Sequence, residues 1–239
     1  MKIFLVGEGP TDCGQKQFDD KKRKYTWLDG PVQVYIHKVH PDAKILAMDK
    51  TTLTEESAKR RNKRNQRAMK GLSGHGLKAF HIAGMAIEYG CDVAAMYVDA
   101  DKAKGPAAKS VGECQKRYNE VCGDVKKGLL QGGAKQCLAI VPMKMIECWL
   151  MGDPAAFSAA FGKTPDPALL KTPELIWGDE HDPDSDYPKN RLARVMKQCS
   201  TECCRENYSL IAEHSRMEEL TKGCPISFGD FKAQLDAIT

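Results

Sequence analysis

The chain opens MKIFLVGEGPTDCGQK, and the turn after its first apolar run holds two acids, Glu8 and Asp12, among glycines. Gly9 and Gly14 have the G-x-x-x-x-G spacing of a phosphate-gripping loop. That loop needs Lys and then Ser or Thr after the second Gly, so that an ammonium reaches the phosphates and a hydroxyl reaches magnesium. Gln15 and Lys16 follow Gly14 instead, and two carboxylates at close range repel phosphate oxygens. The acids suit a metal better. Magnesium takes hard oxygen donors, keeps several waters and is held by a few carboxylates plus substrate phosphates. Further acids recur in the same setting: Asp99 and Asp101 in YVDAD, and Glu147 in VPMKMIECW. A spacing of two puts Asp99 and Asp101 on one face of an extended backbone. Any one of these acids alone reads as a cap or turn residue; their repeated placement after apolar runs reads as a metal site. Glu147, between Ile146 and Cys148, needs a partner to offset its burial, either a metal or a base such as Lys144.

These side chains require elements to hold them. Ile3 to Val6 reads as a short buried strand ended by Gly7. The β-branched alternation of Val32 to Val39 predicts a second strand. Val93 to Val98 and Gln136 to Val141 predict two more. Between them, residues 55–70 read as a polar helix capped by Thr54. Leu77 to Tyr89 and residues 107–122 read as further helices, and Pro142 opens another over MKMIECWLM. Strands alternating with helices imply an α/β fold with a mostly parallel sheet. Sites in such sheets lie outside the carboxyl ends of strands, near a switch point. Glu8, Asp99 and Glu147 each follow a predicted strand. We expect residues 1–153 to form the α/β domain and 154–239 a helical extension packed on it. Trp149, Leu150, Phe228 and Phe231 read as core residues, and the acidic stretch Asp179 to Asp186 as a solvated loop.

With 239 residues, 42% hydrophobic and 28% charged, the composition is that of a globular protein with a sizeable core. The net charge of +4 does not by itself identify a nucleic-acid binder. No stretch approaches the roughly 20 apolar residues of a membrane-spanning helix, and no signal-peptide pattern opens the chain, so a cytoplasmic protein is expected. The ten cysteines sit largely in apolar or helical patterns and read as reduced thiols. Cys199, Cys203, Cys204 and Cys224 raise a zinc hypothesis, but C-x3-C-C lacks a paired C-x2-C partner.

Taken together, GEGPTD, YVDAD and P-x-K-x-x-E-x-W-L resemble the Toprim-like proteins of the DUF4276 type, related to the nuclease domains of the OLD family. The late stretch GCPISFGDFKAQL is similar to the end of that family. The resemblance implies a Toprim/Rossmann-like fold binding magnesium or manganese. Position by position, Glu8 matches the family Glu and Asp12 the second acid of its motif. Asp99 and Asp101 match the DxD pair, and Glu147 the acid of the following motif. The OLD-type nucleases use two metals, which would suit five carboxylates, and an ATPase partner is implied by the resemblance alone.

The chemistry expected is phosphodiester hydrolysis of DNA or RNA, in prokaryotic defence or repair. One or two Mg2+ or Mn2+ ions would activate a water and neutralise the leaving oxygen. Asp12, Asp99 and Asp101 would be ligands and Glu8 a ligand or general base. Lys144 has two readings, a cation steadying the transition state and a solvated helix-start lysine. Residues 59–70, KRRNKRNQRAMK, hold seven basic residues and no acid. Lys59, Arg60, Arg61, Lys63, Arg64, Arg67 and Lys70 would neutralise phosphates without reading sequence, or form a solvated face. Two alternatives stand beside the nuclease: a non-catalytic nucleic-acid-binding or regulatory subunit of an ATPase complex, and a phosphatase for small phosphoesters.

Overall fold

The structure is a computed structural model describing residues 1–20, 23–59, 69–72, 74–100 and 110–239. Among these, four parallel strands form one sheet: β1 (Lys2–Val6), β4 (Lys44–Met48), β5 (Val93–Tyr97) and β6 (Gln136–Ile140), in the order β4-β1-β5-β6. A separate antiparallel ribbon joins β2 (Gln15–Asp19) to β3 (Lys24–Leu28). The fold is α/β with helices on both faces of a parallel sheet, as the strand and helix alternation predicts.

Strand alternation sends successive side chains to opposite faces, and the core divides accordingly. Ile3, Leu5, Ala95, Tyr97 and Ile140 face one apolar cluster, together with α2 (Pro31–Val39) and the C-terminal helices. Phe4, Val6, Met96, Val98 and Ala139 face the other, beneath α4 (His75–Glu88) and α5 (Val111–Gln131). Burial of each large aliphatic contributes about 1.5–3 kcal/mol, so both faces must be covered. Residues beyond 153 continue the first cluster through Phe157, Leu192, Tyr208 and Phe228, in α7 (Pro154–Phe161), α8 (Pro188–Gln198), α9 (Arg205–His214) and α11 (Ser227–Asp236).

The predicted strand Val32 to Val39 is instead helix α2. Gly30 and Pro31 open it, Pro at the first helical position being preorganised for a helix. The Gly30 amide donates to Gln33 Oε1 at 3.2 Å, and Val32, Tyr35 and Ile36 fall on one buried helical face. The strand beside β1 is β4, KILAM, whose apolar run Ile45 to Met48 carries no polar alternation.

Three further boundaries differ from expectation. Helix α3 spans Lys50–Lys59, and its cap is Asp49, not Thr54: Asp49 Oδ1 accepts the Thr52 amide at 2.9 Å and Oδ2 its hydroxyl at 2.8 Å. Helix α5 begins after Ser110, whose hydroxyl accepts the Glu113 amide at 3.2 Å, and runs to Gln131. Pro142 opens no helix; α6 covers only Ile146–Leu150. The Met143 amide is drawn out of a helical path by Ser227 Oγ, 3.0 Å away.

Candidate functional site

The chain steps from β1 to β4 on one side and then to β5 on the other. The switch point therefore lies at the carboxyl ends of β1 and β5, where open α/β sheets hold their ligands. Val6 and Met96 are register partners; Glu8 follows the first by two residues and Asp99 the second by three. The topology, not proximity in sequence, brings these two acids to one rim.

The turn after β1 is built by two glycines. A Cβ on Gly7 would overlap the Cys13 thiol, so glycine is needed for the one-turn helix α1 (Pro10–Cys13) to fold back onto the strand. Gly14 has φ +74, and a Cβ there would overlap the Leu28 carbonyl; only glycine is at ease in this conformation. The fold-back carries Asp12 over Gly9, whose added Cβ would lie 3.0 Å from Asp12 Oδ2.

Cys13 and Tyr97 report the resulting field. Burial pushes the Cys13 thiol well up, and the charges of Asp12, Asp99 and Glu8 push it further. Tyr97 is likewise raised by burial, then by Asp12 and Asp99, and its hydroxyl donates to Asp99 Oδ1. The Cys13 thiol thus feels all three carboxylates and the Tyr97 hydroxyl two of them, Asp12 and Asp99. Lys78 of α4 approaches from the other side, Nζ to Glu8 Oε1 3.7 Å. Asp99 is buried and Glu8 nearly so.

Glu147 and Lys144 are buried at the end of β6, and their contacts run to the C-terminal helices. Tyr208 Oη donates to Glu147 Oε1 at 3.3 Å, and burial followed by the Glu147 charge raises the Tyr208 hydroxyl. Lys144 Nζ stands 5.2 Å from the ring centroid of Tyr187. Helix α9, which carries Tyr208, packs on both α1 and α6 and so connects the two groups.

Asp101, Arg60, Arg61, Lys63, Arg64 and Arg67 lie outside the described residues. Lys59 ends α3 and Lys70 lies in an exposed turn. Among the described residues no three His, Cys, Asp or Glu side chains converge closely enough to hold a metal by themselves. Cys224 Sγ instead contacts the Cys148 carbonyl at 3.3 Å and Cys199 Sγ the Lys163 carbonyl at 3.9 Å. Magnesium asks for less than such a cage, one or two carboxylates with water and phosphate completing its shell, and the oxygen donors at Glu8, Asp12 and Asp99 are of that kind.

Beside Glu8 opens a cleft of about 400 Å³, with Lys16, Trp27, Asp49 and Thr51 in its walls. Sequence reasoning missed Lys78, Asp49 and the ribbon supplying Lys16 and Trp27. The pattern VDADK marks Asp99 but carries no sign of its support by Tyr97, two residues earlier on the same strand face. Lys78 has no linear signal, because a helix some seventy residues downstream delivers it to Glu8.

Fold and site define a class: an α/β protein with an acidic rim at the switch point of a parallel sheet, beside a walled cleft. No family model, curated protein or solved structure matches the chain. No helix among the described residues is long and apolar enough to cross a membrane.

Proposed function

We propose that the chain is a metal-dependent phosphodiesterase, a nuclease cutting DNA or RNA at the rim formed by Glu8, Asp12 and Asp99. The observation that carries this reading is their placement at the β1/β5 switch point: Glu8 and Asp99 follow register partners, Asp12 folds back over Gly9, and the Tyr97 hydroxyl donates to Asp99. Glu8, Asp12 and Asp99 would hold Mg2+ or Mn2+, with Asp101 joining them as its spacing suggests. Such an ion supplies Lewis acidity and an activated water. Tyr97 fixes the Asp99 carboxylate through its hydroxyl, and Lys78 balances the charge of Glu8 until a metal replaces it. Held in this way, the carboxylates need little reorganisation when a phosphodiester arrives. Glu147 and Lys144 support the rim by engaging Tyr208 and Tyr187 of the C-terminal region. The basic stretch from Lys59 to Lys70 adds phosphate affinity. The motif resemblance extends this reading to a role in prokaryotic defence or repair beside an ATPase.

The test is incubation of the purified protein with labelled plasmid, single-stranded DNA and tRNA, in Mg2+ or Mn2+ against EDTA, for wild type and Glu8→Gln. Metal-dependent cleavage lost in Glu8→Gln is the expected result. Tight nucleic-acid binding without cleavage, unchanged by Glu8→Gln, would replace it with a binding or regulatory subunit. Hydrolysis of small phosphoesters alone would replace it with a phosphatase.

A further inference from the structure

None of the carboxylates assigned to the metal lies on the β2–β3 ribbon, yet its surface is unusual. Its register pairs Lys16 with Trp27 and Phe18 with Tyr25. Side chains two apart on a strand share a face, so Lys16, Phe18, Tyr25 and Trp27 all lie on one side of the ribbon. Phe18 and Tyr25 are 46% and 63% exposed, with ring centroids 5.1 Å apart in an edge-on arrangement. Lys16 Nζ stands 4.5 Å over the Tyr25 ring.

This aromatic face is continuous with the cleft. Lys16 and Trp27, at the base of the ribbon, line the same walls as Glu8. The Trp27 indole donates to the Cys13 carbonyl at 3.1 Å, which fixes the ribbon to the turn carrying Asp12. Charge points the same way: residues 15–28, QKQFDDKKRKYTWL, hold five basic residues against two acids. A two-stranded ribbon is marginal by itself, and exposed rings on it gain nothing from the core. Rings interleaved with cations suit a polyanion with accessible flat faces.

We propose that this ribbon is a stacking platform for single-stranded nucleic acid, leading the strand along Tyr25, Phe18 and Trp27 to the cleft at Glu8. The inference rests on the nuclease reading and assigns its substrate class. Unpaired bases stack on aromatic side chains while cations follow the backbone, largely without regard to sequence. In a duplex the base faces are already stacked on one another, so the ribbon discriminates against it.

Fluorescence anisotropy in EDTA, near physiological salt, tests binding without cutting. The probes are labelled oligothymidine, oligouridine and a duplex of equal length, against wild type and the double variant Phe18→Ala, Tyr25→Ala. Both rings are exposed, and thermal melting checks that the variant folds as wild type does. The expected result is tighter binding of a single strand than of the duplex, and a loss of about tenfold or more in single-strand affinity in the variant. The tighter of the two single strands identifies the sugar preferred. Equal affinity for single strand and duplex, or unchanged affinity in the variant, overturns the proposal. So does a wild-type dimer that the variant converts to monomer without change in strand affinity, which makes the ribbon a self-association surface. Ring-dependent binding without any metal-dependent cleavage overturns the nuclease reading alone; cleavage indifferent to both rings overturns this inference alone.

Discussion

Lys78 Nζ lies 3.7 Å from Glu8 Oε1, joining helix His75–Glu88 to the turn after strand β1. An ammonium so placed competes with a metal cation for the same carboxylate. Two unit charges about 4 Å apart interact by about 1 kcal/mol even in water. Lys78→Met is therefore expected to bind Mn2+ about fivefold more tightly than wild type by titration calorimetry. Equal or weaker affinity would mean that Glu8 is not a ligand or that Lys78 serves chiefly to position it.

Carboxylates gathered for a metal repel one another in its absence, so the site is held at some expense of stability. Glu8→Gln and Asp99→Asn should each reduce metal-dependent cleavage by about a hundredfold or more, with melting temperatures at or above that of wild type. Added Mn2+ should raise the melting temperature of wild type and leave both variants nearly unmoved. A stabilisation by Mn2+ that persists in both variants would place the metal elsewhere.

Ser227 ties the CPISF stretch to the segment that follows β6. Its hydroxyl oxygen accepts from the Trp149 indole at 2.7 Å and the Met143 amide at 3.0 Å, and its proton goes to Glu174. Glu174 in turn accepts the amides of Ile226, Ser227 and Phe228 at 2.8, 2.7 and 3.2 Å, closing the start of the last helix. Ser227→Ala leaves buried donors without an acceptor. It should cost about 2–3 kcal/mol in urea denaturation and lower the melting temperature by roughly 5–10 °C. A change under about 0.5 kcal/mol would show that the neighbourhood re-forms these bonds.

Asp153 gives the fold an acid-sensitive contact remote from the carboxylate rim. Burial raises its carboxyl, but hydrogen bonds from the Arg216 side chain and amide and from the Ala155 amide outweigh it and hold it below the ordinary aspartate value. A carboxyl lowered in the folded state adds stability that is fully present above the unfolded value, about pH 4, and is lost as pH falls through the folded one. Asp153→Asn should therefore be less stable than wild type at pH 7, and the gap should narrow as denaturation is repeated below pH 4. A gap independent of pH would refer the loss to packing.

Much of this was legible before any coordinates. The strands around Leu5, Ala95 and Leu138 are apolar runs bounded by turn residues, because a parallel sheet buried on both faces needs apolar side chains on both. Val32 to Val39 reads as a strand although it lies in helix Pro31–Val39, because its apolar residues satisfy two periods at once. Gly30-Pro31 before it and the β4 strand beside β1 decide the matter in favour of the helical one. The β2–β3 ribbon was missed because exposed lysines and glutamines dilute its aromatic alternation, and no buried face enforces a pattern on it.

Residue order along the chain carries the chemical types: which carboxylates follow strands, that strand alternates with helix, and that Gly9 to Gly14 lacks the Lys-Ser/Thr pair of a phosphate loop. Their grouping belongs to the folded chain. Folding brought Glu8 and Asp99 to one rim after register partners, joined Asp99 to Tyr97, set Lys78 against Glu8, and turned Glu147 toward Tyr208. The reason is physical: strand order, not spacing along the chain, sets which strand ends share a rim, and that order is fixed only when both faces of the sheet are covered at once.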